Sequence, residues 1–463
     1  MQAPSSFSAF DARLVAGRMS PVPTFDVSLD DPPETRWAWI TQYADHFRSA
    51  RQLILGEVGI DADMPTPLWV SAAARIMLMA VPSDMRREMD ACAALCGVPP
   101  GELALLNYLY ELKAKCSSFV VERPSGQPLH ARTLDWPGCA VLCACTVHLR
   151  VSRSGCLLYE SLTWPGYLGV LTACAPARFS LSVNFRGDER AQLPWELPGE
   201  GAVSSVISEI LRRGVAMLGS LTGKCRSVGF AVRHLLEQQP EVSFEGALEK
   251  LSSVSLVAPV YFTLCGTAPG EGAILVRGPA PITKPPHECD KWRVRRLGDP
   301  GHCTLNGLLY QANADLPVGA TKAALAQLKR AEGEGGGLVS WDRIQKAQAL
   351  ARKHGPQYHL ADVIDMVTSA PIANELTIFS CVLDPGAAPS GLHVHCGRHT
   401  EFEDVVYEDG SSGQEIVLPI QRPGNAWRAA LDGDAVTGRG QDATGRGAGR
   451  GRGIAKKSRG QRK

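Results

Sequence analysis

The sequence predicts an α+β fold in which two β-sheets pack face to face under helices, behind a mainly helical N-terminal unit. Three observations carry this. Apolar residues recur at three- and four-residue intervals from Trp37 to Leu112, the period of an amphipathic helix. At Cys116 the pattern changes to short β-type runs, broken by Pro-Ser-Gly, Trp-Pro-Gly and Ser-Arg-Ser-Gly. From there the chain reads as strands, helices, strands, helices and a strand, the order that two helix-covered sheets give.

The N-terminal residues 1–23 read as disordered. TFDVSLD (Thr24 to Asp30) alternates like a short strand ahead of the turn-forming Asp-Pro-Pro. Helices are expected within Trp37 to Leu55, Leu68 to Leu95 and Gly101 to Leu112, which makes 24–115 one N-terminal unit. Strands follow at CSSFVVE, PLHARTLDW, ACTVHLRVS and GCLLYESLTW, then at GYLGVLTA and FSLSVNF. Val203 to Leu218, Gly229 to Gln238 and Phe244 to Leu251 read as helices, PVYFTLCG and GAILVRG as strands. A second helical group at Ala320 to Ala331, Trp341 to Lys353 and Leu360 to Val367 precedes a last strand, LTIFSCVLD, so the core is expected over 116–386. The signal weakens over 387–436, a C-terminal extension.

Length and composition fit this. The 463 residues are 44% hydrophobic and 21% charged, ordinary for a globular protein with one large core or two domains. The formal charge of +1 conceals an asymmetry, because Gly438 to Lys463 holds nine Lys or Arg against one Asp and leaves the remainder near −7. That Arg/Gly-rich tail, 437–463, is too polar to fold and is expected to be disordered. It suits contact with a polyanion or with anionic lipid headgroups through charge alone, since it lacks interleaved aromatic residues. No internal repeat and no window of eighteen apolar residues occurs, so a membrane span is not expected. The first twenty residues carry no basic region followed by an apolar one; the sequence as given points to the cytoplasm.

Fourteen cysteines are scattered without repeated CxxC spacing, the pattern of small buried residues. LHVHCGRH (Leu392 to His399) sets three histidines beside Cys396 but lacks a second cluster, so no metal is expected. GEGGG (Gly333 to Gly337) lacks the Lys-Ser or Lys-Thr of a phosphate loop and reads as a linker. No cofactor is implied.

The stretch with chemical content begins at Cys116. CSSFVVERPSGQPLHARTLDW opens a strand on a cysteine, reverses at Pro-Ser-Gly, and places Arg132 and Asp135 on the returning strand. In a hairpin the three side-chain types supply a nucleophile, a cation for its thiolate and a carboxylate to orient an amine.

LNYLYELKAKCSSFV followed by GQPLHARTLDWPG resembles the junction and first hairpin of the acid ceramidase and N-acylethanolamine acid amidase family, a branch of the choloylglycine-hydrolase-like enzymes. FDVSLDDPPETRW is similar to that family's prosegment, SLTWPGYLGVLTACAPARFSLSVN to its central hairpins, and PIANELTIFSCVLDPG to its last core strand; the resemblance spans roughly 24–386. It implies a four-layer αββα N-terminal-nucleophile sandwich that cuts itself between Lys115 and Cys116. The small and large subunits are expected to stay associated. Cys116 would be the nucleophile, its freed α-amine the base, with Arg132 beside the thiolate and Asp135 holding the amine. The two reference pKa values, near 8 and 8.5, balance that proton transfer. The substrate would be a lipid amide, ceramide or N-acylethanolamine, and the setting lysosomal or secreted.

The family's oxyanion-hole asparagine is matched best by Asn313 in YQANADLP; WRVRRLGD offers an alternative alignment that would put Leu297 in its place. The arginine usually found shortly after it is not matched, with Thr321 and Lys322 in its neighbourhood. The family's acidic residue after the central strands is Glu189 with a gap; without one Phe185 takes its place and Asn184 becomes a second candidate oxyanion donor. These departures keep two other readings open: a catalytically silent homologue that acts as a binding protein, and a nucleic-acid-associated protein acting through the tail.

Overall fold

A computed structural model describes residues 22–56, 68–109, 115–136, 139–186, 225–288, 293–299, 307–314, 340–374, 376–387, 391–396, 405–408 and 415–418. These lie within one compact unit, Met1–Gly424. The expected helices at 203–218 and 320–331, and the tail from 437, lie outside the described residues.

The chain enters through strand β1 (Thr24–Ser28), whose alternation buries Phe25 and Val27 and leaves Thr24 and Asp26 exposed. Helices α1 (Pro33–Arg36), α2 (Ala44–Gly56), α3 (Leu68–Ala80), α4 (Ser83–Cys96) and α5 (Pro100–Leu109) follow, with a short 3₁₀ segment at Ala38–Tyr43. Gly97 ends α4 in the left-handed conformation at φ 70°, where only glycine avoids strain. Among the described residues from Thr24 to Leu109, the regular elements are helical apart from β1.

The hairpin β2 (Lys115–Glu122) and β3 (Pro128–Asp135) comes next, then a short helix, α6 (Cys139–Ala144), for which the sequence suggested no element. Strands β4 (Val147–Arg153), β5 (Cys156–Thr163), β6 (Thr172–Ala175) and β7 (Phe179–Phe185) continue the chain. Of the strand expected over GYLGVLTA, only its end forms, within β6; the residues before it run as a buried loop. Helices α7 (Val228–Glu237) and α8 (Phe244–Ser253) are capped by Ser227 and Ser243, whose hydroxyls accept from Phe230 N–H and Gly246 N–H. They precede β8 (Val260–Cys265), β9 (Gly272–Arg277), β10 (Val294–Arg296) and β11 (Leu308–Gln311). Helices α9 (Ser340–His354) and α10 (Leu360–Thr368) lead into β12 (Thr377–Leu383) and β13 (Leu392–Cys396). A separate two-stranded ribbon pairs β14 (Val405–Glu408) with β15 (Glu415–Leu418).

The strands form an eight-stranded sheet, β1-β4-β5-β6-β7-β8-β9-β10, and a five-stranded sheet, β11-β2-β3-β12-β13. β2 packs across β7, β8 and β9, β3 across β8 and β11 across β9, while α7 and α8 cover the large sheet and α9 and α10 the small one. This is a four-layer αββα sandwich. Strands with a sheet on one face and helices on the other bury both faces, so β3, β8, β9 and β12 are buried throughout. β13 pairs with β12 from Leu383↔Leu392 to Phe379↔Cys396, so the small sheet extends beyond the boundary expected at 386.

Two features join the N-terminal unit to the sandwich. β1 pairs in parallel with β4, from Thr24↔His148 to Ser28↔Ser152, and so forms one edge of the large sheet. Glu88 of α4, 2% exposed, pairs with Arg36, accepts from the Trp37 indole at 3.0 Å and pairs with Arg233 of α7 at 2.7 Å. Burial pushes the Glu88 carboxyl upward, but Arg233, Arg36 and the indole outweigh it and hold the group below its ordinary value. Glu88→Ala should therefore cost about 3 kcal/mol, the lower end for breaking a buried pair, because Glu237 still holds Arg233 at 2.7 Å. Urea unfolding of the variant beside the parent protein checks this; an unchanged midpoint would mean the pair adds no net stability.

Candidate active site

The β2–β3 hairpin turns through Pro124-Ser125-Gly126, where Gly126 adopts φ 81° and its N–H donates to Arg123 O at 2.8 Å. The turn fixes a register that sets Lys115 opposite Asp135, Cys116 opposite Leu134 and Ser118 opposite Arg132. Alternate residues share a face, so Cys116 and Ser118 lie with Arg132 between the sheets. Arg132 Nη2 lies 3.0 Å from Cys116 Sγ. Its Nη1 donates to Leu171 O at 2.9 Å and to the Thr172 hydroxyl, and the guanidinium carbon sits 5.7 Å from the centre of the Phe379 ring. This cation is fixed by its neighbours and is fully buried.

Asp135 is also fully buried. It accepts from Thr377 Oγ1 at 2.7 Å and from Asn374 Nδ2 at 3.2 Å, and Arg343 Nη1 approaches to 3.8 Å. Asn313 lies at the end of β11 with its Oδ1 2.8 Å from the Cys116 N–H, the nitrogen of the Lys115–Cys116 bond. Arg343 Nη2 donates to that oxygen at 2.9 Å, while Asn313 Nδ2 donates to Phe185 O at 2.8 Å. In the uncut chain Asn313 therefore turns its acceptor, not its donor, toward the nucleophile. Arg343 Nη1 also donates to Cys116 O at 2.6 Å and Ser117 Oγ at 3.1 Å.

The structure thus brings Cys116, Arg132, Asp135 and Asn313 together and adds Arg343, Asn374 and Thr377, which the sequence reading missed. Thr321 and Lys322 lie outside the described residues, and the arginine beside Asn313 comes from α9, thirty positions on. Its only sequence signal is its place in SWDRIQKAQAL, where helical periodicity puts Arg343 on the stripe of the buried Ala347 and Leu350. Leu297 is instead a buried residue against the Gly272 backbone, to whose carbonyl its N–H donates.

Asn184 sits in a different hydrogen-bonded group. Its Oδ1 accepts from Ser118 Oγ at 2.6 Å and its Nδ2 donates to Gln311 O at 3.0 Å, so its amide joins the sheets. His130 continues this polar seam with contacts to Ser182 Oγ at 2.9 Å and Ser180 Oγ at 3.1 Å. Burial and then Arg132 push its pKa down to about 3, so the ring is neutral. Glu189 lies outside the described residues. Among the described residues no cluster of His, Cys, Asp and Glu could hold a metal, and Cys116 and nine further cysteines are free. Of LHVHCGRH, the first five residues are strand β13 and the rest lie outside the described residues.

Burial pushes the Cys116 thiol up, against Arg132 and Arg343, which favour the thiolate, as does the Asp135 backbone N–H; the Asp135 carboxylate adds to the rise. The uncut chain therefore holds Cys116 as a thiol at neutral pH. Burial likewise pushes Asp135 up, against Arg343, Thr377, Asn374 and Arg132.

No protein-family model matches the chain. Among curated proteins, it is 24% identical over 376 residues to the N-acylethanolamine-hydrolyzing acid amidase of Caenorhabditis elegans, an alignment covering 79% of this chain and 90% of that protein. It is 26% identical over 391 residues to acid ceramidase of Mus musculus and 29% over 384 to that of Balaenoptera acutorostrata scammoni, each covering 79% of this chain and 84% of the relative. This chain is related to the acid ceramidases and N-acylethanolamine-hydrolyzing acid amidases. A solved structure of the Caenorhabditis elegans amidase ortholog is similar at 24% identity and a TM-score of 0.42, over 59% of this chain and 95% of that one. A bile acid hydrolase mutant from Clostridium perfringens follows at 10% identity and 0.33, over 67% and 93%.

The raised Asp135 carboxyl has a signed consequence. The folded chain binds this proton more tightly than the unfolded chain, so the stabilisation is complete below the ordinary value of 3.8 and is lost as pH rises through the folded value. Asp135→Asn should accordingly gain stability relative to the parent protein as pH is raised from 3.8. Urea midpoints of both proteins across that range measure it, and a pH-independent difference would count against a raised carboxyl.

Proposed function

We propose that this chain is a self-cleaving cysteine amidase that hydrolyses the amide bond of an N-acylated lipid, of the ceramide or N-acylethanolamine class, to a fatty acid and an amine. The observation that carries the reading is the placement of Cys116. Its thiol lies 3.0 Å from the buried Arg132 Nη2, and its peptide nitrogen is held at 2.8 Å by Asn313, at the bond a self-cutting precursor would break. The kinship with proteins named for hydrolysing N-acylethanolamines and ceramides supports the substrate class.

In the proposed self-cleavage, Cys116 Sγ attacks the Lys115 carbonyl carbon, its proton passes to the Cys116 nitrogen and the peptide C–N bond breaks, leaving Lys115 as a thioester and freeing the Cys116 amine. Asn313 and Arg343 hold the departing residue by its nitrogen and its carbonyl oxygen. Water then hydrolyses the thioester. The new α-amine supplies the base that the buried thiol lacked, and in this reading Asp135, opposite Lys115 in the hairpin, holds it as ammonium.

In turnover the amine takes the thiol proton and Sγ attacks the substrate carbonyl. The α-ammonium then protonates the leaving amine, and water releases the fatty acid. Arg132 holds the thiolate. Asn313 becomes an oxyanion donor only by releasing Phe185 O, a change that loss of its Cys116 peptide partner permits. One such donor is worth about 3 kcal/mol in other enzymes.

Cys116→Ala should abolish both self-cleavage and turnover, read by intact-protein mass spectrometry and by fatty-acid release from a panel of fatty-acyl amides. A Cys116→Ala protein that still appeared as two fragments and still turned over would overturn the mechanism.

A further inference from the structure

The chain segment that leads to the anchors of Arg132 is itself held from the other side of the proposed cut. Arg132 Nη1 is anchored on Leu171 O and Thr172 Oγ1, which leaves Nη2 aimed at Cys116 Sγ. Leu171 ends the buried loop that follows β5, its carbonyl also accepting from Val183 N–H at 2.9 Å, and Thr172 opens β6 opposite Ser182; the loop before them, from Trp164, has no strand pairing of its own.

Asn107 of α5, 2% exposed, fastens that loop. Its Nδ2 donates to Gly166 O at 2.8 Å and to Leu103 O at 2.9 Å, and its Oδ1 accepts from Leu168 N–H at 2.8 Å. One amide thus clasps the backbone on both sides of Tyr167. Gly166, at φ 80°, sits in a socket where a Cβ would come within 2.6 Å of Phe47 and 3.0 Å of Leu103, both from the N-terminal unit. Further along, Arg233 donates to Leu168 O at 3.3 Å and Val170 N–H to Gly229 O at 3.0 Å.

We infer that Asn107 is a positioning residue for the nucleophile: by clasping Gly166 and Leu168 it sets the loop that leads into Leu171 and Thr172, which aim Arg132 at the Cys116 thiol. The inference rests on the proposed role of Cys116 as nucleophile. It assigns the N-terminal fragment a continuing part in the chemistry, because after a cut at Lys115 the clasp would still come from that fragment. Nothing in it requires Asn107 to touch substrate. A buried amide with its donor and acceptor both committed loses all of these contacts on truncation, and the orphaned Gly166 O and Leu168 N–H would pull the loop toward new partners.

The test reads the thiol directly. Carboxamidomethylation of Cys116 by iodoacetamide is followed by peptide mass spectrometry from about pH 5 to 10, each variant being compared with parent protein in the same cleavage state. Asn107→Ala should raise the midpoint by about one pH unit and slow labelling at neutral pH about tenfold. Asn107→Asp keeps the acceptor for Leu168 and replaces the donor, and should give a smaller shift in the same direction. Met89→Ala, which removes buried packing of the same helical unit, should leave the midpoint unchanged.

A parent-like midpoint in Asn107→Asp, or in Asn107→Ala where it folds, overturns the inference, even if activity falls with the folded fraction. So does an equal shift in Met89→Ala. Because labelling needs no lipid substrate, the proposed amidase function can fail while the midpoint still decides the role of Asn107.

Discussion

The register of the β2–β3 hairpin governs the site. With Lys115 opposite Asp135 and Ser118 opposite Arg132, side-chain alternation sends the Cys116 thiol and the Arg132 guanidinium to one face, between the sheets. A slip of one strand by one residue would turn either the thiol or the guanidinium to the helical side and break the 3.0 Å contact. The register is held by more than the turn. Tyr310 and Gln311 pair with Phe119 and Ser118 on one side of the hairpin, and β12 pairs with β3 from Thr377↔Asp135 onward on the other. The same pairings deliver Asn313 and Thr377, so strand order and site geometry are one constraint.

How far the sequence revealed the site follows from how far apart its parts lie. Cys116, Arg132 and Asp135 belong to one hairpin, so their convergence could be read from a turn signal and two runs of alternating residues. Arg343 belongs to a helix of the small sheet's outer layer, and only packing brings it to Asn313 and Asp135. No local rule ties it to either. GYLGVLTA misled for a different reason. Tyr167, Leu168, Val170 and Leu171 are apolar, β-prone and buried, as a strand would require. What keeps them from pairing is the positive φ of Gly166 and an amide from a distant helix that satisfies their backbone.

The inner faces of the two sheets are unusually polar for a core. Ser118, His130, Ser180, Ser182 and Asn184 are fully buried and bonded across the gap. Each has a partner, which is the condition under which burial of such groups is tolerated. Directional bonds fix the sliding of one sheet over the other more tightly than aliphatic packing does. The neutral imidazole of His130 suits this place, because beside Arg132 a second buried cation would be costly.

The parallel pairing of β1 with β4 has a consequence for the two pieces that a cut at Lys115 would make. β4 would otherwise be the rim of an eight-stranded sheet, offering an open row of backbone donors and acceptors along His148 to Ser152. Such a rim is a template for any extended segment that meets it, another copy of the same chain included. β1 closes it with bonds from within the same precursor, and the Glu88–Arg233 pair anchors the piece that carries β1. The segment that carries β1 therefore covers the edge at which another copy could pair, and a large fragment made without it would present a sticky edge to its neighbours.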